Sequence, residues 1–371
     1  MGRQNLQTTT RTRVFRLVAL GLIIPLMTIA VRTVDAQDST EPPNLSVDQQ
    51  ETNMNHESPE SSNTESSSTG NYNWRLPTMG GKQVWTDHRW WYGWRVQNNL
   101  LTGHWRLLDD HNVRHAWGTR EACINKLDNV RKNTDHPPEP KTVVVLLHGL
   151  MRSSDSMNSL GKHLRENGYP VVVQFGYGST RASIAEHAAA FRELIADLPG
   201  QPRLCFVGHS MGNIVFRHAI GDWNREENQD VLERIDRIVM LGPPNQGAAI
   251  AKRLSKTGLF GIVTGQAGMS LGPAWEELEK HLAIPACPFG IVMGNMERWS
   301  NLNPLVNGPS DMIVTVEEAQ LEGAQETMMV SDIHSFLMDD PKVQQAIVRF
   351  FQGGTLNEVE PTEVEAPDEA T

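Results

Sequence analysis

Residues 208–212 read Gly-His-Ser-Met-Gly, a G-x-S-x-G pentapeptide whose residue types suggest nucleophilic chemistry at Ser210. A serine hydroxyl is a weak nucleophile, so it must be presented bare to a substrate and to a base. A tight strand-to-helix turn does this, and the two glycines relieve the crowding of that turn. The apolar residues 204–207 before the motif and the helical pattern after it provide the strand and the helix that such a turn requires. We therefore predict that Ser210 is a nucleophile.

A base and an orienting acid are expected later in the chain, in the order serine, acid, histidine. Asp311 ends the turn-rich stretch 307–311 and is the predicted acid, with Asp332 and Glu317 as alternatives. Its carboxylate would accept the imidazole N–H, fix the tautomer and stabilise the imidazolium. His334, the last histidine, stands just before the terminal helix and is the predicted general base.

Two backbone N–H groups are expected to stabilise the oxyanion that forms when a hydroxyl attacks a carbonyl. Met211 supplies one, because it follows the serine at the start of a helix. Residues 148–151, His-Gly-Leu-Met, end the first strand of the catalytic part, and Gly149 permits a close approach of the chain. Leu150 is the predicted second donor, with Met151 as the alternative.

Strands that alternate with helices must position these residues. Thr142 opens a continuous β-branched run typical of a strand buried on both faces. Ser183 is followed by Glu186, a capping box that begins a helix. The predicted strands are 142–147, 170–175, 204–207, 235–241 and 289–293, and the predicted helices are 156–167, 183–198, 211–219 and 341–351. This order predicts an α/β catalytic domain over 141–353, with a mostly parallel sheet and helices on both faces.

These motifs together resemble the α/β-hydrolase superfamily, and within it the bacterial triacylglycerol lipases and related esterases. The resemblance rests on residues 148–150, 208–212 and 242–247 (Gly-Pro-Pro-Asn-Gln-Gly), and on Asp311 and His334. It implies the α/β-hydrolase fold and a Ser210–Asp311–His334 triad. It also implies an oxyanion hole at Leu150 and Met211, and cleavage of carboxylic esters through an acyl-enzyme. The family often has glycine after the acid, where this chain has Met312.

The N-terminus indicates export. Arg3, Arg11, Arg13 and Arg16 precede an apolar run at 17–31, and small residues precede a cleavage site after Ala36. The run is shorter than the about 20 residues that span a bilayer, so we predict a signal peptide at 1–36 rather than a retained anchor. The destination would be periplasmic or extracellular. Residues 37–70 are predicted to be a disordered linker and residues 354–371 a disordered acidic tail.

Residues 71–140 form a separate, tryptophan-rich segment. It contains seven of the ten tryptophans, and its alternating runs around Trp94 and Trp105 predict strands, followed by a short helix. One interpretation is a β extension that packs its aromatic face on the catalytic domain. Another is an aromatic platform for a sugar or a polymer. If the triad were vestigial, this module would make the chain a secreted binding protein.

The composition argues against some classes of partner and cofactor. A net charge of −11 argues against a nucleic-acid partner. No metal or organic cofactor is needed by the proposed chemistry, and Cys/His metal-ligand spacing is absent. The three cysteines do not form a disulfide framework, although a Cys123–Cys287 bridge would be compatible with export.

The expected partner is an ester or lipid substrate. A second expectation is that the protein contacts a lipid interface. The glycine-interspersed apolar residues of 248–283 are compatible with a mobile cap or with an ordinary helix and loop. A thioesterase, amidase or acyltransferase could use the same triad, because fold does not determine substrate.

Overall fold

The computed structural model describes residues 76–77, 83–247, 271, 274–296 and 309–358. The predicted signal peptide, the linker and most of the acidic tail lie outside these residues, as does most of the predicted cap at 248–283. The described residues form two sheets with associated helices. Among them, no helix has both the length and the apolar composition needed to cross a bilayer.

A six-stranded parallel sheet forms the larger part of the described structure, in the order β11-β10-β9-β8-β6-β7. All five of its strand pairs are parallel, which confirms the predicted α/β class. The strands are β6 (Thr142–Leu147), β7 (Val172–Phe175), β8 (Arg203–His209), β9 (Ile235–Leu241), β10 (Phe289–Gly294) and β11 (Glu326–Val330).

Helices cover both faces of this sheet. Along β6, Val143 and Val145 face a cluster that contains Phe191, while Val144 faces a second cluster that contains Ile347. Alternate residues of a strand point to opposite faces, so a continuous apolar run is what burial on both sides requires. Numbered along the chain, the α-helices of the described residues, including α1 of the tryptophan-rich segment, are α1 (Arg120–Asn133), α2 (Asn158–Glu166), α3 (Ile184–Ala196), α4 (Met211–Arg225), α5 (Gln229–Leu232), α6 (Trp275–Glu279), α7 (Val316–Ala319) and α8 (Pro341–Phe351).

Local sequence signals begin two of these helices. Ser183 caps α3, and the reciprocal bonds of the predicted capping box with Glu186 are both present. Asp340 caps α8 by accepting the N–H groups of Lys342 and Val343, and Pro341 occupies the first helical position, where no N–H is needed.

The tryptophan-rich segment is a five-stranded antiparallel sheet, in the order β1-β5-β4-β3-β2, with α1 packed on it. We call this unit the N-terminal sheet. Trp91, Leu107 and Leu127 belong to its small core. The helix has 14 residues and is longer than predicted. The strands are β1 (Leu76–Pro77), β2 (Trp85–Trp91), β3 (Trp94–Asn99), β4 (Trp105–Leu108) and β5 (Val113–Gly118).

The N-terminal sheet is attached to α3 by both apolar and charged contacts. Trp90 joins the main core cluster together with Phe191. Glu193 accepts His88 Nδ1 at 2.9 Å and Arg120 Nη2 at 2.8 Å. Asp197, on the same helix end, pairs with Arg89 and Arg131. The interpretation of the segment as an extension packed by aromatic residues therefore agrees with the contacts of Trp90.

The cysteines are free in the structure. Cys123 is buried in the core of the N-terminal sheet, whereas Cys287 packs against the main core cluster. The Cys123–Cys287 bridge considered from the sequence is not formed, because the two thiols belong to different cores.

Candidate active site

Ser210 stands between the end of β8 and the first residue of α4, in a strained backbone conformation. Its φ of 53° and ψ of −122° place a non-glycine residue in a sparsely populated region. The Ser210 N–H donates to Leu241 O at 2.8 Å, and Asn213 Nδ2 donates to Ser210 O at 3.0 Å. A Cβ added to Gly212 would lie 2.5 Å from Leu147 O, so this glycine is needed where α4 starts against β6.

Asp311 and His334 are in direct contact. His334 Nδ1 lies 2.6 Å from Asp311 Oδ2, and the two residues are 5% and 2% exposed. The His334 N–H also donates to Asp311 O at 3.0 Å. Since a carboxylate only accepts, Nδ1 carries the proton, and Nε2 is left as the basic nitrogen.

The two other carboxylates considered from the sequence do not contact the ring. Asp332 Oδ1 accepts the N–H of Ile333 at 2.7 Å, and Glu317 is exposed on α7. Asp311 is further held by the N–H groups of Ile313 and Val314, which donate to its Oδ1 at 3.0 and 2.8 Å. The structure therefore brings Asp311, and neither alternative, to His334.

His209 links the histidine to the serine turn. Its Nε2–H donates to His334 O at 2.8 Å, and the two rings lie 4.8 Å apart. Burial holds the pKa of His209 well below its usual range, so this ring stays neutral beside His334. The Ser210 hydroxyl, half-buried, makes no hydrogen bond with any described residue.

The loop after β6 approaches the serine through Gly149. A Cβ added there would lie 3.1 Å from Ser210 Cβ. The N–H of Met151 donates to Ser179 Oγ at 3.0 Å, so it is already engaged. The N–H groups of Leu150 and Met211 donate to no described residue. Of the two sequence candidates in this loop, Leu150 is the one whose N–H is available.

His148 lies under this loop as a buried neutral ring. It stacks on Tyr177 at 4.0 Å, and its Nδ1–H donates to Gly149 O at 2.9 Å. Burial lowers the pKa of His148 to about 4 and that of His187, whose ring lies 4.8 Å from the Tyr177 ring, to about 3. Neither ring carries charge near neutral pH.

Gly242 directly follows β9. In the sequence it was only one member of the 242–247 motif, and the structure shows why it is glycine. Its φ is 51°, and an added Cβ would lie 2.9 Å from His334 Nδ1 and 3.0 Å from Asp311 Oδ2. The glycine leaves the space that the histidine–carboxylate pair occupies. The positive φ required here could not be seen from the sequence.

The rest of that motif is anchored by a buried arginine. Arg217 Nη1 donates to Asn245 Oδ1 at 3.0 Å, and Asn245 Nδ2 donates to Ala319 O at 2.8 Å. Burial lowers the pKa of Arg217 to about 10. These bonds hold the segment after β9 against α4 and α7, beside the loop that carries Asp311.

Met312 occupies the position where a glycine was expected from the resemblance. Its φ is 80°, in the left-handed region that favours glycine. The turn geometry after Asp311 is therefore present despite the substitution, and the Asp311 side chain caps it through Ile313 and Val314.

Within the described ranges, the acidic and histidine side chains grouped closely enough to hold a metal ion are Asp109, Asp110 and His111. They lie in the turn between β4 and β5 of the N-terminal sheet. The site around Ser210 and His334 is not built from them.

Comparisons with known proteins agree with this fold. A family model described as the alpha/beta hydrolase family matches residues 144–349, more than half of the chain. No curated protein matches the sequence.

Solved structures that are similar to the chain include a lipase, a carboxyl esterase and a phospholipase. The mature lipase BlEst2 of Bacillus licheniformis is 18% identical with a TM-score of 0.43, over 55% of this chain and 89% of that one. The metagenomic carboxyl esterase MGS0156 is 18% identical with a TM-score of 0.43, over 54% of this chain and 68% of that one. Phospholipase PlaB of Legionella pneumophila is 19% identical with a TM-score of 0.39, over 48% of this chain and 45% of that one.

The buried histidines predict a loss of stability in acid. A ring whose folded pKa is lowered binds its proton only when the chain unfolds, so stability falls as the pH drops from about 6.5 toward the folded value. For His148 and His187 this window extends down to about 4 and about 3. Each proton contributes about 1.4 kcal/mol per pH unit. Urea unfolding at pH 7 and pH 4.5 measures this loss of unfolding free energy. The loss between the two pH values should be smaller for His187→Gln than for the wild type. An equal loss in both proteins would contradict this account.

Gly242→Ala is expected to damage the site more than the fold. The new methyl group collides with His334 Nδ1 and Asp311 Oδ2, so the pair must separate. We expect a hydrolase activity at least about 10-fold lower, since a displacement of reacting groups by about 1 Å costs up to about 100-fold. Gly353→Ala, at another positive φ but with open surroundings, is the control and should keep full activity. Unchanged kcat in Gly242→Ala would refute the steric argument.

Proposed function

The chain belongs to the alpha/beta hydrolase family, and on that premise we propose that it is an exported serine hydrolase that cleaves carboxylic esters. Ser210 is the nucleophile, His334 the general base and Asp311 the orienting acid. The observation that carries the proposal is the buried contact of 2.6 Å between His334 Nδ1 and Asp311 Oδ2, next to the strained turn at Ser210.

The first half of the reaction acylates Ser210. His334 Nε2 takes the proton of the Ser210 hydroxyl as its oxygen bonds to the ester carbonyl carbon. The carbonyl oxygen becomes an oxyanion, which accepts the N–H groups of Leu150 and Met211. When the tetrahedral intermediate collapses, the bond to the alkoxy group breaks, and the alcohol leaves with the proton from His334.

The second half regenerates the enzyme. Water gives a proton to His334 Nε2 and attacks the acyl carbon, and the acid is released as Ser210 recovers its proton. In both halves His334 becomes an imidazolium, which the Asp311 carboxylate stabilises. The neutral His209 favours this step, because a charged ring 4.8 Å away would oppose it.

Export and substrate class complete the proposal. The signal-peptide pattern at 1–36 supports secretion or periplasmic delivery. The resemblance to bacterial lipases and esterases supports an ester or lipid substrate. A panel of carboxylic esters, thioesters and amides, assayed for release of the free acid, separates ester hydrolysis from the thioesterase and amidase alternatives. Transfer of the acyl group to an added alcohol would reveal an acyltransferase.

Replacing the nucleophile is the first test. Ser210→Ala should lose about 10³-fold or more of the p-nitrophenyl ester hydrolysis rate, because the acyl-enzyme can no longer form. A fluorophosphonate should label the wild type and not the variant. Ser183→Ala removes a hydroxyl that caps α3 instead, and should retain activity and labelling. Full activity in Ser210→Ala would disprove the proposed nucleophile.

The choice of acid is tested separately. Asp311→Asn places an amide against His334 Nδ1 and favours the wrong tautomer, so we expect a loss of kcat on the order of 10³- to 10⁴-fold. Asp332→Asn makes the same chemical change on a carboxylate that bonds Ile333 and should leave kcat within about threefold. The reverse ranking of the two variants would move the acid to Asp332.

A further inference from the structure

The N-terminal sheet reaches the catalytic part at β2, where Asp87 is bonded to the chain that follows β7. Asp87 Oδ2 accepts the N–H of Gly176 at 2.7 Å, and the Asp87 N–H donates to Gly176 O at 2.8 Å. Asp87 Oδ1 accepts Gln97 Nε2 at 2.6 Å. The carboxylate is buried, and burial raises its pKa. A buried carboxylate is costly unless its bonds are made, so these donors are what the residue is placed to hold.

The neighbouring residues close the same junction. Thr86 Oγ1 accepts the N–H of Gly178 at 3.3 Å. A Cβ added to Gly178 would lie 2.7 Å from Leu100 Cδ1 and 3.0 Å from Gln83 O, so the two backbones meet with no room for a side chain. Residues 176–178 are thus fixed by the N-terminal sheet.

The segment fixed in this way holds the loop after β6. The Tyr177 hydroxyl donates to His148 O, and Ser179 Oγ accepts the N–H of Met151. Gln83 Nε2, just before β2, also donates directly to Arg152 O at 3.0 Å. On the other side of the loop, Arg152 Nη1 donates to Ser335 O at 2.9 Å, next to His334.

These bonds determine which N–H group the loop offers. Met151 has a φ of 59°, a conformation that a non-glycine residue adopts only when its surroundings hold it there. Ser179 Oγ accepts the Met151 N–H, whereas the neighbouring Leu150 N–H donates to no described residue. The orientation of the loop therefore depends on Ser179, and the position of Ser179 depends on the junction with β2.

We propose that Thr86 and Asp87 are positioning residues for the oxyanion loop: the N-terminal sheet fixes residues 176–179, and these hold Leu150 in the orientation that serves the transition state. This rests on the proposed serine hydrolase function. It gives the tryptophan-rich segment a role in catalysis without any contact with substrate.

The test uses the full chain with three substitutions. Thr86→Val removes the acceptor for Gly178 with little change of shape. Asp87→Asn leaves one acceptor where Gly176 and Gln97 both donate. Ser179→Ala releases the Met151 N–H directly. The matched control is Asp109→Asn, the same exchange in the same sheet on a carboxylate that bonds His115 and Val113.

Each of the three variants should lower kcat for a p-nitrophenyl ester by about 10- to 100-fold, less than the about 10²- to 10³-fold that removing a whole oxyanion donor costs. KM should change less than about threefold. Affinity for an alkyl boronic acid, which forms a tetrahedral adduct with the serine, should fall by the same factor as kcat. Asp109→Asn should match the wild type in all three quantities.

Merely structural damage gives a different pattern. Lower activity caused by partial unfolding would reduce the number of sites that a fluorophosphonate titrates, whereas kcat per titrated site and boronate affinity would stay at wild-type values. That result, or unchanged kcat in folded variants, overturns the proposal. If Asp87→Asn fails to fold, Thr86→Val and Ser179→Ala decide the question. Failure of the proposed function is separate, because it appears as full activity in Ser210→Ala.

Discussion

The hydrogen bond between Asp311 and His334 places the strongest demand on the surrounding structure, because it puts a carboxylate and an imidazole together where water is excluded. An unpaired carboxylate there would be costly, so each of its oxygens needs a donor. The N–H groups of Ile313 and Val314 and the ring Nδ1–H supply them. Space is provided by glycines at the ends of two strands: a Cβ on Gly242 would meet the pair, and one on Gly294 would lie 2.6 Å from Asp311 Cβ.

Parallel topology explains why residues so distant in sequence meet here. The carboxyl ends of all strands of a parallel sheet lie on one edge, so the loops that follow them converge. Gly149 follows β6, Ser210 follows β8 and Gly242 follows β9. Asp311 and His334 come after β10 and β11. Each of these five strands is followed by one part of the site, and no helix interior has to supply a polar side chain to the contact.

The parallel sheet and the turn at Ser210 could be predicted because their signals are local. The apolar run at β6, the pentapeptide at Ser210 and the capping box at Ser183 each depend on neighbours in sequence, and each has the predicted structure. The strand β11 was not predicted. It is an edge strand whose first four residues alternate between partial exposure and exposure, with Met329 60% exposed, so it lacks the continuous apolar pattern of the other strands.

The parts of the site that the sequence did not indicate depend on long-range contacts. Ser179 is one serine among many until the structure places it against Met151, 28 residues earlier. Arg152 and Ser335 are 183 residues apart, and no pattern in either neighbourhood predicts their bond. The availability of Leu150 over Met151 follows from the Ser179 contact, which is why the sequence left both open.

The way Trp90 and the arginine pairs join the N-terminal sheet to α3 has a consequence for how the molecule can be divided. β7 is the outermost strand on its side, and the added sheet lies against the chain that leaves it. Cutting the protein before residue 141 would expose apolar side chains of α3 to solvent. It would also leave Glu193 and Asp197 without their cationic partners. The residues that the family model matches, 144–349, therefore share their packing with the sheet that precedes them, and the start of the recognisable homology does not coincide with a gap in the contacts.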